Sequence, residues 1–245
     1  MRAPDYVWGP GPIEEGLHYA DEIVDQLGHV PGMKLFGLHL HAHMQARLGE
    51  FDGALEAIDE YRRGMRELGK EREHVLTATC VWDVCTWSGD WQLGEAALRE
   101  SYEQAERRGN KAVLSEIALD LVDAATKQGS LDEAERLYGM GEELSASDDA
   151  VREARLALLR AKLRVARGDL DVAEEAARKA VELAVGIGYL EWAAGAWLVL
   201  AEIHRVRGEA EERAAAEEAL RLYEQKGNLV GAAWAQVFLD AGSAS

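Results

Sequence analysis

Cysteine is nearly absent from this sequence: 245 residues hold two, Cys80 and Cys85. They stand five apart within one expected helix, on different sides of it, so neither a disulfide framework nor a zinc-type cysteine pattern can be drawn from them. Proline is scarce as well, with four residues, none after Pro31, and the long stretches of Ala, Leu, Glu and Arg favour helix. Positive charge is in deficit, 27 Lys and Arg facing 45 Asp and Glu for a net charge of -18. So acidic a chain lacks the basic surface that displaces counterions from nucleic acid or anionic lipid, and neither is an expected partner. Long apolar runs are missing too. The longest, residues 192–201, is bounded by Glu191 and Glu202 and falls well short of the roughly 20 residues that cross a bilayer. Residues 1–16 hold no apolar core of the signal-peptide type. A reducing, cytoplasmic setting fits all of these absences.

What is present is a repeat. A turn of the form Gly-acid-x-x-x-small opens as Gly49-Glu50-Phe51-Asp52-Gly53-Ala54 and returns at Gly89, Gly129, Gly168 and Gly208, spacings of 40, 40, 39 and 40. Gly69, Gly109, Gly188 and Gly227 mark the half-period, with Asp149 in the equivalent place of the third repeat. Glycine just past a helix end supplies the left-handed residue that closes it, and an acidic residue suits the next helix N-terminus. Between the marks, apolar residues recur in steps of three and four, as in Leu55, Ile58, Tyr61 and Met65, the signature of amphipathic helices. The small residue five after each turn glycine (Ala54, Gly94, Ala134, Ala173) lets paired helices approach. The last repeat has Arg213 there, which predicts looser packing.

The expected architecture is therefore all-α: a right-handed α-α superhelix of about six helix pairs of about 40 residues, stacked because no unit can bury its apolar face alone. The expected organisation is a single solenoid domain over 1–245. It comprises a half-repeat at 12–28, repeats at 32–69, 72–109, 111–148, 150–188 and 190–227, and a closing helix at 229–240. Because the first unit lacks its leading helix, the reading is of a piece of a longer chain.

Helix pairs of this kind resemble tetratricopeptide repeats of the longer variety. Two segments sharpen the likeness. Trp8-Gly9-Pro10-Gly11-Pro12-Ile13-Glu14-Glu15-Gly16 is similar to an aromatic-Gly-Pro-x-Pro-Val-x-Glu-Ala entry motif, and Ala219-Leu220-Arg221-Leu222-Tyr223-Glu224-Gln225-Lys226-Gly227-Asn228 is similar to a closing motif. Both resemble the C-terminal tetratricopeptide array of bacterial, largely actinobacterial, multidomain regulators. In these a class III adenylate/guanylate cyclase or a DNA-binding domain comes first and an AAA-type ATPase second. Arginine outnumbers lysine 20 to 7, as GC-rich genomes tend to give. The resemblance implies a non-catalytic interaction and regulatory module. Its partner would be a protein segment or peptide, or an upstream domain of its own parent chain, held in a concave groove lined by the first helix (A) of each pair. A small-molecule-sensing superhelix is the alternative, to be recognised by a deep pocket around Trp82 and Trp87. Carrying the groove positions across gives Phe36, His39, His43, Arg47, Asp83, Trp87, Arg155, Lys162, Glu202 and Arg205. The A helices bear little net charge, so the acidity falls on the second (B) helices and a basic run, Arg152 to Arg167, stands out in the groove.

Chemistry is hard to place. No Gly-x-x-x-x-Gly-Lys-Ser/Thr phosphate loop occurs; Gly69-Lys70-Glu71 is the nearest string, and it lacks the leading glycine and the hydroxyl. No catalytic residue and no cofactor site is expected. His39 and His43 are i, i+4 and share a helical face, a spacing able to grip a divalent metal. With no further donor evident from spacing, they read as groove-lining side chains and no metal site is assigned. The tryptophans read as interhelical packing.

Overall fold

The computed structural model describes residues 6–143 and 149–242; the expected end of the third repeat, at 148, lies outside them. Among the described residues the chain forms twelve long helices. They are α1 (Ile13–Leu27), α2 (Pro31–Leu48), α3 (Phe51–Glu67), α4 (Glu71–Ser88), α5 (Trp91–Arg107), α6 (Lys111–Lys127), α7 (Leu131–Glu143), α8 (Ala150–Arg167), α9 (Leu170–Gly186), α10 (Leu190–Arg207), α11 (Glu211–Lys226) and α12 (Leu229–Gly242). Even-numbered helices are the A helices and odd-numbered ones the B helices. The protein is an all-α helical repeat.

The glycine marks do what their spacing implies. Gly49, Gly89, Gly168 and Gly208 close α2, α4, α8 and α10 with φ of 86°, 82°, 82° and 69°. Around Gly49 the closure takes the Schellman form, Glu50 N–H donating to Gln45 C=O (2.9 Å) and Gly49 N–H to Ala46 C=O (3.3 Å), which satisfies carbonyls a helix end would leave bare. Asp149, where a glycine would stand, instead caps α8, its carboxylate accepting from Val151 N–H at 3.0 Å, as N-cap residues do.

The chain divides into two compact units. The first comprises residues up to Val7 and Gly11–Leu121. Here consecutive helices α1 to α5 pack in order and the A helices α2 and α4 also touch. The small turn-side residues carry the tightest contacts: Ala54 is fully buried, and a Cβ on Gly94 would lie 2.9 Å from the Trp82 ring and 3.3 Å from the Trp82 Cα. At so close an approach one methyl group is felt.

The second unit comprises Trp8–Pro10 and residues from Val122. Helices α7 to α12 pack in order, with α8 also on α10. Its core is rich in alanine: Ala157, Ala161, Ala173, Ala177, Ala180, Ala196 and Ala216 are all buried, so helix backbones come close and burial is gained from many small contacts. The looser packing expected at Arg213 does not occur. Arg213 turns outward to Glu217 (2.8 Å), Ala215 and Ala216 take the buried places, and α10 packs against α11 as extensively as α8 does against α9. The register slips because α11 starts at Glu211, three residues after Gly208, where α3, α5, α7 and α9 start two after their turn glycines.

Candidate functional site

The repeat length gives the A helices equivalent positions. One is held by His43, Asp83, Asp123, Lys162 and Glu202, members separated by 40, 40, 39 and 40 residues. Because α2 lies against α4, His43 and Asp83 meet; because the fold repeats, Asp123 and Lys162 meet in the second unit.

In the first unit the meeting is a dense polar cluster. His43 is 1% exposed and Arg47 1%. Arg47 donates to both oxygens of Asp83 (2.7 and 3.3 Å) and to the His43 carbonyl (3.0 Å), while its guanidinium lies 5.2 Å from the centre of the Trp87 ring. His43 Nδ1 shares a 2.5 Å hydrogen bond with Asp83 Oδ2. Burial would raise the Asp83 pKa, but the charge of Arg47, then His43, outweighs it and holds the carboxyl well below the usual range. An ionised Asp83 can only accept, so Nδ1 of His43 is the donor in that bond. One turn earlier the His39 ring meets the His43 ring edge-on at 4.6 Å, and His39 Nδ1 lies 3.4 Å from Cys80 Sγ. Burial, then the neighbouring His43, lowers the His39 pKa to about 3. Burial, then Asp83, pushes the Cys80 thiol up to about 12. Cys80 is therefore a protonated thiol next to a neutral imidazole, the opposite of the low-pKa thiolate of cysteine nucleophiles.

In the second unit Lys162 Nζ donates to Asp123 Oδ1 at 2.8 Å. Burial would raise the Asp123 pKa; Lys162, then Lys127, outweighs it and lowers it. Three further basic residues of α8 are met by α7. Arg152 donates to the Gly141 carbonyl (2.7 Å), Arg164 pairs with Glu135 (3.0 Å) and Arg167 with Asp132 (2.6 Å). One repeat on, Arg207 pairs with Asp171 and Glu174 at 2.6 Å each. Four basic side chains of the run are thus engaged by neighbouring helices, while Arg160 is exposed.

The structure distributes the expected groove residues as follows. His39, His43, Arg47, Asp83 and Trp87 come together. Lys162 is engaged with Asp123, and Arg155 adds its charge to the same carboxylate. Arg205 pairs with Glu212 (2.7 Å) and lies over Phe238. Phe36 is half-buried and Glu202 exposed. Trp82 and Trp87 are buried, Trp82 as packing against Gly94. Spacing alone missed Cys80 as a neighbour of His39; the available signal was the repeat itself, since Cys80 follows His39 by 41 residues.

The two family-like motifs also meet. Lys226, fully buried, donates to the Gly9 carbonyl at 2.8 Å, and Asn228 donates to Glu191 (2.6 Å) while accepting from Gly231 N–H (2.8 Å). The closing segment thereby holds Trp8–Pro10 in the second unit.

The fold is that of a helical repeat protein. No family model and no curated protein sequence matches the chain. Among solved structures it is similar to BtubC (BKLC) from P. vanneervenii, with 14% identity and a TM-score of 0.59 over 86% of this chain and 91% of that one. It is also similar to a Signal Transduction ATPase with Numerous Domains (STAND) protein with a tetratricopeptide repeat sensor from Pyrococcus horikoshii. There the identity is 15% and the TM-score 0.53, over 94% of this chain and 37% of that one. At such identities the likeness is one of fold, and this chain spans little more than a third of the STAND protein.

Proposed function

We propose that the chain is a non-catalytic protein-interaction and regulatory module that holds a protein segment, or a sister domain of a larger regulator of the cyclase–ATPase type, against its A-helix face. The observation that carries this reading is the register. Within each unit, equivalent positions on successive A helices meet, His43 with Asp83 and Asp123 with Lys162, so the A helices of a unit present an ordered series of side chains against which an extended or helical segment can lie. The pairs His43–Asp83 and Asp123–Lys162 tie successive A helices together within their units; in the second unit Arg155 is half-buried and Glu202 exposed. That a STAND protein with a tetratricopeptide repeat sensor is among the solved structures of similar fold supports this reading. The converging Cys80 thiol is buried with its pKa pushed up and the half-buried His39 imidazole has its pKa lowered, which supports binding rather than catalysis. No helix among the described residues is long and apolar enough to cross a membrane.

The test is selection of binding peptides from a random display library on the purified chain, followed by affinity measurement for one winner. Arg155→Glu or Glu202→Lys should weaken it at least about tenfold, because reversing a contacting charge costs more than 1.4 kcal/mol. Glu175→Lys on the B helix α9 should not. A winner that senses only the B-helix change, or no winner at all, refutes the reading.

A further inference from the structure

We infer that His39, His43 and Cys80 form a three-ligand site for a soft divalent cation, zinc above all, with the fourth position open to water. One donor atom from each of the three lies within 4.8 Å of the others. Zinc–nitrogen bonds of about 2.1 Å and zinc–sulfur bonds of about 2.3 Å at tetrahedral angles place neighbouring donors roughly 3.4–3.6 Å apart. The 3.4 Å between His39 Nδ1 and Cys80 Sγ is already one edge of that tetrahedron, and small side-chain rotations close the rest. Both helices contribute rigidly. His39 and His43 are a turn apart on α2, and Cys80 comes from α4, which packs directly on it.

The support behind the donors is what separates this cluster from a chance meeting of side chains. Zinc-bound histidines generally donate their second N–H to a carboxylate, which fixes the tautomer and aims the other nitrogen. His43 does this through the 2.5 Å bond to Asp83, and Asp83 is itself clamped by Arg47. The pair of imidazoles with a thiolate suits zinc and disfavours magnesium and calcium, which take oxygen donors. On binding, the Cys80 S–H bond breaks, its proton leaves to solvent, and the sulfur lone pair is donated to the metal. The thiolate and Asp83 offset the charge of the ion. Solvent reaches the site past His39, which is half-buried, beside the Tyr61 ring 5.3 Å away.

The experiment titrates chelator-treated full-length chain with zinc against a chromophoric indicator, and with cobalt read by its thiolate charge-transfer absorption. One equivalent of zinc and a thiolate–cobalt band are expected. Cys80→Ser should abolish the band and weaken zinc at least about a hundredfold, and Asp83→Asn should weaken it about 10- to 100-fold. Cys85→Ser, five residues on and on a different side of α4, should leave both unchanged. Circular dichroism of the metal-free variants establishes that each is folded. Absence of stoichiometric binding, binding that survives Cys80→Ser, or a band that depends on Cys85 overturns the assignment.

Discussion

Removing Asp83 should cost this protein more than removing the arginine it holds. Arg47 is 1% exposed, and its side chain is met by both Asp83 oxygens, the His43 carbonyl and the Trp87 ring. In Asp83→Asn the cation stays in place without its carboxylate. A buried charge stripped of its partner costs about 3–5 kcal/mol. In Arg47→Met the charge itself is gone and the thioether fills much of the space. Asp83, whose side chain is 25% exposed, keeps both water and His43. That loss is one charged hydrogen-bond set and a ring contact, about 1–2 kcal/mol. Urea unfolding of chelator-treated protein, followed by fluorescence of the nearby Trp82 and Trp87, measures both. The midpoint of Asp83→Asn should lie clearly below that of Arg47→Met, with thermal midpoints separated by several degrees. Equal losses, or a greater loss for Arg47→Met, would refute the argument that the buried cation dominates the cluster.

Three further outcomes follow from the packing. The Asp123 carboxyl is depressed in the folded protein, so its contribution to stability is complete above the unfolded carboxylate pKa and is lost as pH falls from there toward the folded value. Asp123→Asn should therefore flatten the acid limb of stability below about pH 4, read as a smaller slope of unfolding free energy against pH. A side chain at Gly94 would strike the Trp82 ring and backbone; Gly94→Val should cost about 1–3 kcal/mol in urea unfolding, whereas Gly139→Ala, which meets open space, should cost nothing measurable. Lys226→Ala should release Trp8–Pro10, seen as faster hydrogen exchange at Trp8 and Gly9 while amides of α8 and α9 stay protected.

What the sequence by itself determined was the fold. Helix ends are local events: a glycine at positive φ closes a helix wherever it stands, and a three–four apolar rhythm builds an amphipathic helix without reference to the rest of the chain. A 40-residue period then leaves paired helices little choice but to stack. The repeat, the helix-closing glycines and the small residues at the close approaches were all legible for this reason. Arg213 shows the limit, since the core there is restored by a shifted turn and by alanines two and three residues further on, an adjustment no local rule announces. The cluster at His39, His43, Arg47, Cys80 and Asp83 belonged to the tertiary structure. Sequence placed the two histidines on one helical face, but whether a thiol and a carboxylate face them depends on how α4 is rotated against α2. The same holds for the basic run on α8, which composition presents as free positive charge and packing converts into pairs with Asp123, Asp132 and Glu135. Charge is written residue by residue; its neutralisation is decided by which helices become neighbours.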